Sequence, residues 1–124
     1  RDRVREVAST EHLDAVEFAD VGLELGDTPA GAVLLSSPGC APCVQVRRVL
    51  TELGRRHPGF CWVEVAAADH LALTERLSVR RVPTVLVVDR AGRLLARAGG
   101  VPSLDALGEV VATAGGTEHV LPFR

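Results

Sequence analysis

Cys40-Ala41-Pro42-Cys43 sets two thiols three positions apart, about one helical turn, the spacing at which a disulfide closes without distorting a helix behind it. Val46, Val49, Leu50 and Leu53 follow at i, i+3, i+4 and i+7, which predicts a helix beginning at the pair. A helix start offers unpaired N–H groups and the positive end of the macrodipole, and both favour a thiolate over a thiol. The thiolate is the attacking species, so Cys40 is the expected nucleophile. Cys43, one turn deeper, is placed to resolve a mixed disulfide. Half of a zinc site uses the same spacing but needs two further thiolate or imidazole ligands. Cys61 and the four histidines supply no second C-x-x-C and no H-x3-H pair. The expectation is therefore redox chemistry with no metal and no cofactor beyond a Cys40–Cys43 disulfide.

The pair must be held by the elements around it. Ala32 to Leu35 is a short apolar run between the turn cluster Gly26, Asp27, Pro29, Gly31 and Ser36-Ser37-Pro38-Gly39, and it reads as a buried parallel strand. The helix after the cysteines is expected to end near Gly54 or at His57-Pro58-Gly59, with Pro42 tolerated in its first turn. Phe60 to Val65 reads as a second strand with two buried faces, and Asp69 as the cap of a helix through Leu77. Val85 to Val88 is the strongest strand signal. Asp89 to Gly92 forms a hairpin turn, Arg93 to Ala98 returns, and Ser103 caps a last helix carrying Leu104, Leu107, Val110 and Val111 on one face. Leu13 to Leu25 has an irregular helical pattern. The order β-α-β-α-β-β-α, with a further element possible at the front, gives an α/β fold with a central mixed β-sheet flanked by helices on both faces. The expected divisions are 1–12 as linker or N-terminal extension, 13–114 as the folded domain and 115–124 as a tail, laid over the surface by Val120, Leu121 and Phe123.

Val82-Pro83-Thr84 opens the strongest strand, where a proline is unusual unless it serves a purpose. It lies forty residues beyond Cys43. With the C-x-x-C and the run Leu77-Ser78-Val79-Arg80-Arg81-Val82-Pro83-Thr84, the chain resembles the thioredoxin family over roughly 33–112. The resemblance implies a thioredoxin fold, a cis peptide bond before Pro83 in place of an ordinary trans one, and Val82 backbone that pairs with substrate. Gly99 fits the family's glycine after the hairpin. It further implies a substrate surface of Val82, Pro83 and Gly99 with Gly39, Ala41 and Pro42 beside the cysteines. The implied activity is thiol–disulfide oxidoreduction, the reduction or exchange of protein disulfides. The competing class is a thioredoxin-fold binding or chaperone-like module whose cysteines are vestigial.

Four positions depart from the family pattern. Gly39 stands where a tryptophan is usual, Leu34 where a buried acid is expected, Arg48 where a proline kinks the helix, and Ala41-Pro42 replaces Gly-Pro. The missing acid removes the expected proton acceptor for Cys43, leaving water or a neighbouring carboxylate to serve. The lack of a histidine between the cysteines argues for the reducing side.

Length and charge narrow the remaining classes. One hundred and twenty-four residues allow one domain with its own core, and three cysteines are too few for a disulfide framework. The net charge of -2 gives no footprint for nucleic acid. The implied partners are disulfide-bearing client proteins and an upstream electron donor, with the protein a monomer. Cys61 reads as a small buried hydrophobe beside Trp62. His57 and His70 read as turn and helix-start residues. Arg47 and Arg48 read as a solvated face, with an acidic partner as the alternative. No apolar run reaches 18 residues, so the chain carries no spanning segment of its own. Arg1, Arg3 and Arg5 suit either a solvated terminus or the flank of an N-terminal membrane anchor outside this chain, so the domain is read as cytoplasmic or tethered.

Overall fold

The computed structural model describes residues 4–6 and 11–119. Its centre is β2 (Ala30–Ser36), buried at every position. A seven-residue run of this composition is stable as a strand when both of its faces are covered. On one side β2 pairs parallel with β3 (Cys61–Ala66), and on the other antiparallel with β4 (Thr84–Asp89). β5 (Leu94–Gly99) returns beside β4, and β1 (Val4–Glu6) closes that edge, giving the order β1-β5-β4-β2-β3. The sheet is mixed and five-stranded.

Alternation along the strands divides the core in two. Ala32, Leu34, Val85 and Val87 meet Val46, Leu50 and Leu53 of α2 (Cys43–Arg56) and Leu107, Val110 and Val111 of α4 (Leu104–His119). Val33, Leu35, Leu86 and Val88 face the other way, onto Val21 of α1 (Ala15–Val21), Leu73 of α3 (Leu71–Arg76) and Leu77. Helices thus cover both faces. Register fixes which loops share an end: Leu35 opposes Thr84, and Thr84 opposes Gly99. The turn after β2, the loop before β4 and the exit from β5 therefore leave the sheet together.

Several local expectations are corrected. Within the 1–12 extension, Val4–Glu6 is a strand rather than linker, because pairing with Ala96 to Ala98 satisfies its backbone and Val4 packs against the core; three residues are too few to show a period. The Leu13 to Leu25 pattern contains only a seven-residue helix, α1, started by an Asp14–Glu17 capping box; Leu13, Leu23 and Leu25 are buried outside it. Of the two expected ends of α2, Gly54 does not stop it, and the helix ends at the other, running to Arg56 with His57 as C-cap. Asp69 caps nothing: it ends a 3₁₀ turn (Ala67–Asp69), and His70 precedes α3 without a side-chain bond. β3 is an edge strand, half-buried throughout, so it lacks the two buried faces expected of it. Ser103 does cap α4, accepting from the Ala106 amide at 3.1 Å. That helix continues to His119, beyond the 114/115 division, since the two glycines weaken it without removing a donor. Val120, Leu121 and Phe123, like Arg1 and Arg3, lie outside the described residues.

Candidate active site

The turn from β2 into α2 builds the redox centre. Gly39 is exposed at φ +75°, with nothing within 4 Å of where its Cβ would be. Space is therefore open, and the left-handed backbone is what selects glycine at a position where a tryptophan is usual in the resembled family. Cys40 donates its amide to Ser37 O at 3.2 Å. Pro42 sits at the N-cap, one position ahead of the expected first turn, where its missing N–H leaves no bond unmade. The amides of Cys43 and Val44 reach the carbonyls of Cys40 and Ala41 at 3.2 and 3.3 Å, so this turn is closed by backbone alone.

Cys40 and Cys43 are joined in a disulfide with Cα atoms 5.4 Å apart. Their surroundings differ. Cys43 is wholly buried at the start of α2, whereas Cys40 is half-buried and lines an open hollow of about 500 Å³ with Ser36–Ala41, Arg47, Glu64 and Ala66. An approaching sulfur meets Cys40 first. Of the two sulfurs, the one at the helix mouth is the more open to a thiol or disulfide from outside, and the other is enclosed beneath it.

Glu64 is the feature of this hollow that sequence reasoning missed. It stands on β3 in register with Leu34, which is fully buried in the core where the family pattern expects an acid. Glu64 takes two bonds from Arg47, Nε to Oε1 at 2.7 Å and Nη2 to Oε2 at 2.9 Å. The Arg47 hydrogen bond holds the Glu64 carboxyl below its ordinary range, partly opposed by burial and reinforced by the Ser36 side chain; Glu64 in turn raises Arg47. Arg47 is thus ion-paired rather than merely solvated, while Arg48 is exposed. The available signal was an acid interrupting the apolar run of β3.

The remaining predicted residues gather at the same end of the sheet, around other hollows. The Val82–Pro83 peptide bond is cis, the isomer that the resemblance implies. Pro83 is buried, its carbonyl accepts from the Gly100 amide at 2.8 Å, and the Thr84 hydroxyl donates to Arg81 O at 2.7 Å. This loop enters β4 next to the strand that delivers Cys40, one strand spacing of about 4.8 Å away. Val82 lines a hollow of about 290 Å³ with Ala67, Ala68, Leu71, Thr74 and Val79. Gly99, paired with Thr84, lines a third. Ala41 and Gly39 share the hollow of Cys40, whereas Pro42 is exposed beside it.

Cys61 is half-buried on β3, less enclosed than expected; its thiol donates to Glu24 O at 3.6 Å, and burial pushes its pKa up, so it stays a thiol. Among the described residues no three His, Cys, Asp or Glu side chains cluster as metal ligands, and no helix is long and apolar enough to cross a membrane.

Solved structures match this chain at low identity. A single-substitution mutant of a thioredoxin from Halobacterium salinarum superposes with a TM-score of 0.63 at 20% identity over 87% of this chain and 95% of that one. Chloroplastic thioredoxin z gives 0.62 at 20% identity over 89% and 97%. The germline-specific thioredoxin Deadhead of Drosophila melanogaster gives 0.61 at 20% identity over 83% and 97%. No family model and no curated protein matches the sequence. The chain has the thioredoxin fold.

Proposed function

We propose that this thioredoxin-fold protein is a thiol–disulfide oxidoreductase that reduces or exchanges disulfides of client proteins through Cys40 and Cys43. The observation that carries the reading is the unequal exposure of the paired sulfurs at the start of α2: Cys40 half-buried at an open hollow, Cys43 wholly enclosed.

The chemistry balances with the dithiol as reactant. The Cys40 thiolate attacks one sulfur of a client disulfide, forming a Cys40–client bond and releasing the other client sulfur as thiolate. Cys43 then gives up its proton to solvent, attacks the Cys40 sulfur and frees the second client thiol. Two electrons pass to the client, and the Cys40–Cys43 disulfide that remains is returned to the dithiol by an external dithiol donor.

The test is insulin-disulfide reduction with dithiothreitol as donor. Intact protein is expected to accelerate precipitation of the insulin B chain. Cys40→Ser should remove the acceleration, and Cys43→Ser should accumulate a mixed disulfide visible by non-reducing electrophoresis and mass spectrometry. Turnover by the intact protein no faster than dithiothreitol alone would overturn the reading.

A further inference from the structure

Four arginines converge at the end of the sheet where the disulfide lies, but on the side away from Glu64. Arg5, Arg80, Arg81 and Arg97 line a groove of about 290 Å³ with Ser78, Thr84 and Gly99. They come from three separate elements: β1, the loop before β4, and β5. No acidic side chain is among the described residues that line it. In a chain of net charge -2 this concentration of positive charge is local.

The arrangement works against the fold's own electrostatics. Arg5 and Arg97 stand directly opposite each other across the β1–β5 ladder, and like charges in that position repel. Arg97 is held there by donating to Leu77 O at 2.7 Å and Ser78 O at 3.4 Å, past the end of α3. Arg81 lies flat against the backbone of Gly99: a Cβ there would come within 2.8 Å of both its Nε and Nη2. The missing side chain at Gly99 therefore makes room for a guanidinium. Arg5, Arg80 and Arg81 are exposed, so an anion reaches them without rearrangement of the core.

We propose that this groove is a docking subsite for an acidic segment of the polypeptide whose disulfide is exchanged. The inference rests on the thiol–disulfide reading for its client but not for its binding chemistry. Carboxylates would neutralise the Arg5–Arg97 repulsion and accept forked bonds from guanidinium groups, which present paired donors matched to a carboxylate. A polypeptide fits better than a small anion because Arg80 and Arg81 also border the neighbouring hollow of Leu71, Val79 and Val82. An extended chain crossing the loop would set an apolar side chain in one hollow and an acidic one in the next. The subsite is thus continuous with the cis-proline loop and steers clients by charge.

The test uses a fluorescein-labelled peptide with three glutamates and no cysteine, its glutamine counterpart, and fluorescence anisotropy on the intact chain. The glutamate peptide is expected to bind about tenfold more tightly, as rim charges acting together do. That preference should vanish in R80Q/R81Q, fall in Arg5→Gln, and disappear for wild type in about 1 M salt, where the screening length is about 3 Å. Equal binding of the two peptides by wild type, or a preference that survives in R80Q/R81Q and in high salt, would overturn the proposal. A second arm gives both peptides an internal disulfide and follows its reduction by the dithiol protein. Failure to reduce either peptide while the glutamate preference persists would strike the redox reading alone and leave the acidic subsite standing.

Discussion

The two flanks of the disulfide carry the same kind of charge in opposite conditions. On the β3 flank Arg47 is closed into a bidentate pair with Glu64, so its charge is answered within the protein. On the β5 flank Arg5, Arg80, Arg81 and Arg97 border one groove whose described lining contains no carboxylate. Between them Leu34 and its apolar neighbours form a floor without charge. The site is therefore electrically lopsided, and the asymmetry comes from where acids are placed rather than from where arginines are. One acid on an edge strand answers the Arg47 guanidinium on one flank; the described lining of the groove on the other holds arginines and no carboxylate.

Moving that acid inward tests the floor and carries the largest expected effect. Leu34→Asp would put a carboxylate at the fully buried register partner of Glu64, on the central strand. The expected loss of stability at neutral pH is about 4 kcal/mol or more, against about 2–5 kcal/mol for the cavity left by Leu34→Ala. Burial raises the folded-state pKa of an unpaired acid above its unfolded value. The penalty is therefore present at high pH and relieved as pH falls toward the unfolded value. Urea unfolding of both variants across pH separates charge from cavity: the Asp deficit should shrink on acidification and the Ala deficit should not.

Next in size is Arg97. Arg97→Met removes the bonds to Leu77 O and Ser78 O but also the repulsion from Arg5, so the net loss is expected at about 1–2 kcal/mol. Arg5→Met loses the repulsion alone and should be neutral or slightly stabilising. Thermal unfolding of the two side by side shows whether the cross-strand pair is unfavourable, as the β5 flank requires. Equal destabilisation by both would contradict it.

The unequal flanks also show what was legible in the sequence. The central architecture was readable because its signals are local: a buried run before Cys40, a 3.6-residue period after Cys43, and a proline opening the strongest strand. Cys40 and Cys43 followed from spacing and a helix start. Glu64 and the arginine groove were not readable, because each is made by register between segments far apart in the chain. Arg47 meets Glu64 only because α2 lies over β3, and Arg5 meets Arg97 only because three N-terminal residues add a strand to the sheet edge. Such a strand is too short to show alternation. The two ends of α1 and the end of α3 were missed for a different reason: Leu13, Leu23, Leu25 and Leu77 are buried outside the helices, so an apolar pattern overstated the helical length.

Glu64→Gln breaks the neutral flank with a smaller effect on stability. The Arg47 hydrogen bond lowers the folded-state pKa of Glu64, so the stability it contributes is present above the unfolded carboxylate value and is lost as pH falls through the lowered one. The wild-type unfolding midpoint should therefore decline on acidification through that window, and the glutamine variant should decline less. At neutral pH the two should differ little, since the pair is partly exposed. A variant whose acid profile matches wild type would place the pair outside the stability balance.

The smallest effect is expected at Gly99, and it is the most specific to the β5 flank. A methyl group there would press on the far end of the Arg81 side chain, which is flexible and exposed, and not on fixed backbone. Gly99→Ala should accordingly change stability by no more than about 0.5 kcal/mol, because removing a strand glycine favours folding while the displaced guanidinium loses its seat. What should change is recognition. With Arg81 pushed off the backbone, the four guanidinium groups no longer converge, and affinity for the glutamate peptide should drop about two- to threefold, in line with moving one rim charge out of position. Thermal unfolding and anisotropy on the same sample separate the two effects. A fall in stability with no change in affinity would mean that Gly99 serves the strand and not the groove, and the flanks would then differ in charge but not in purpose.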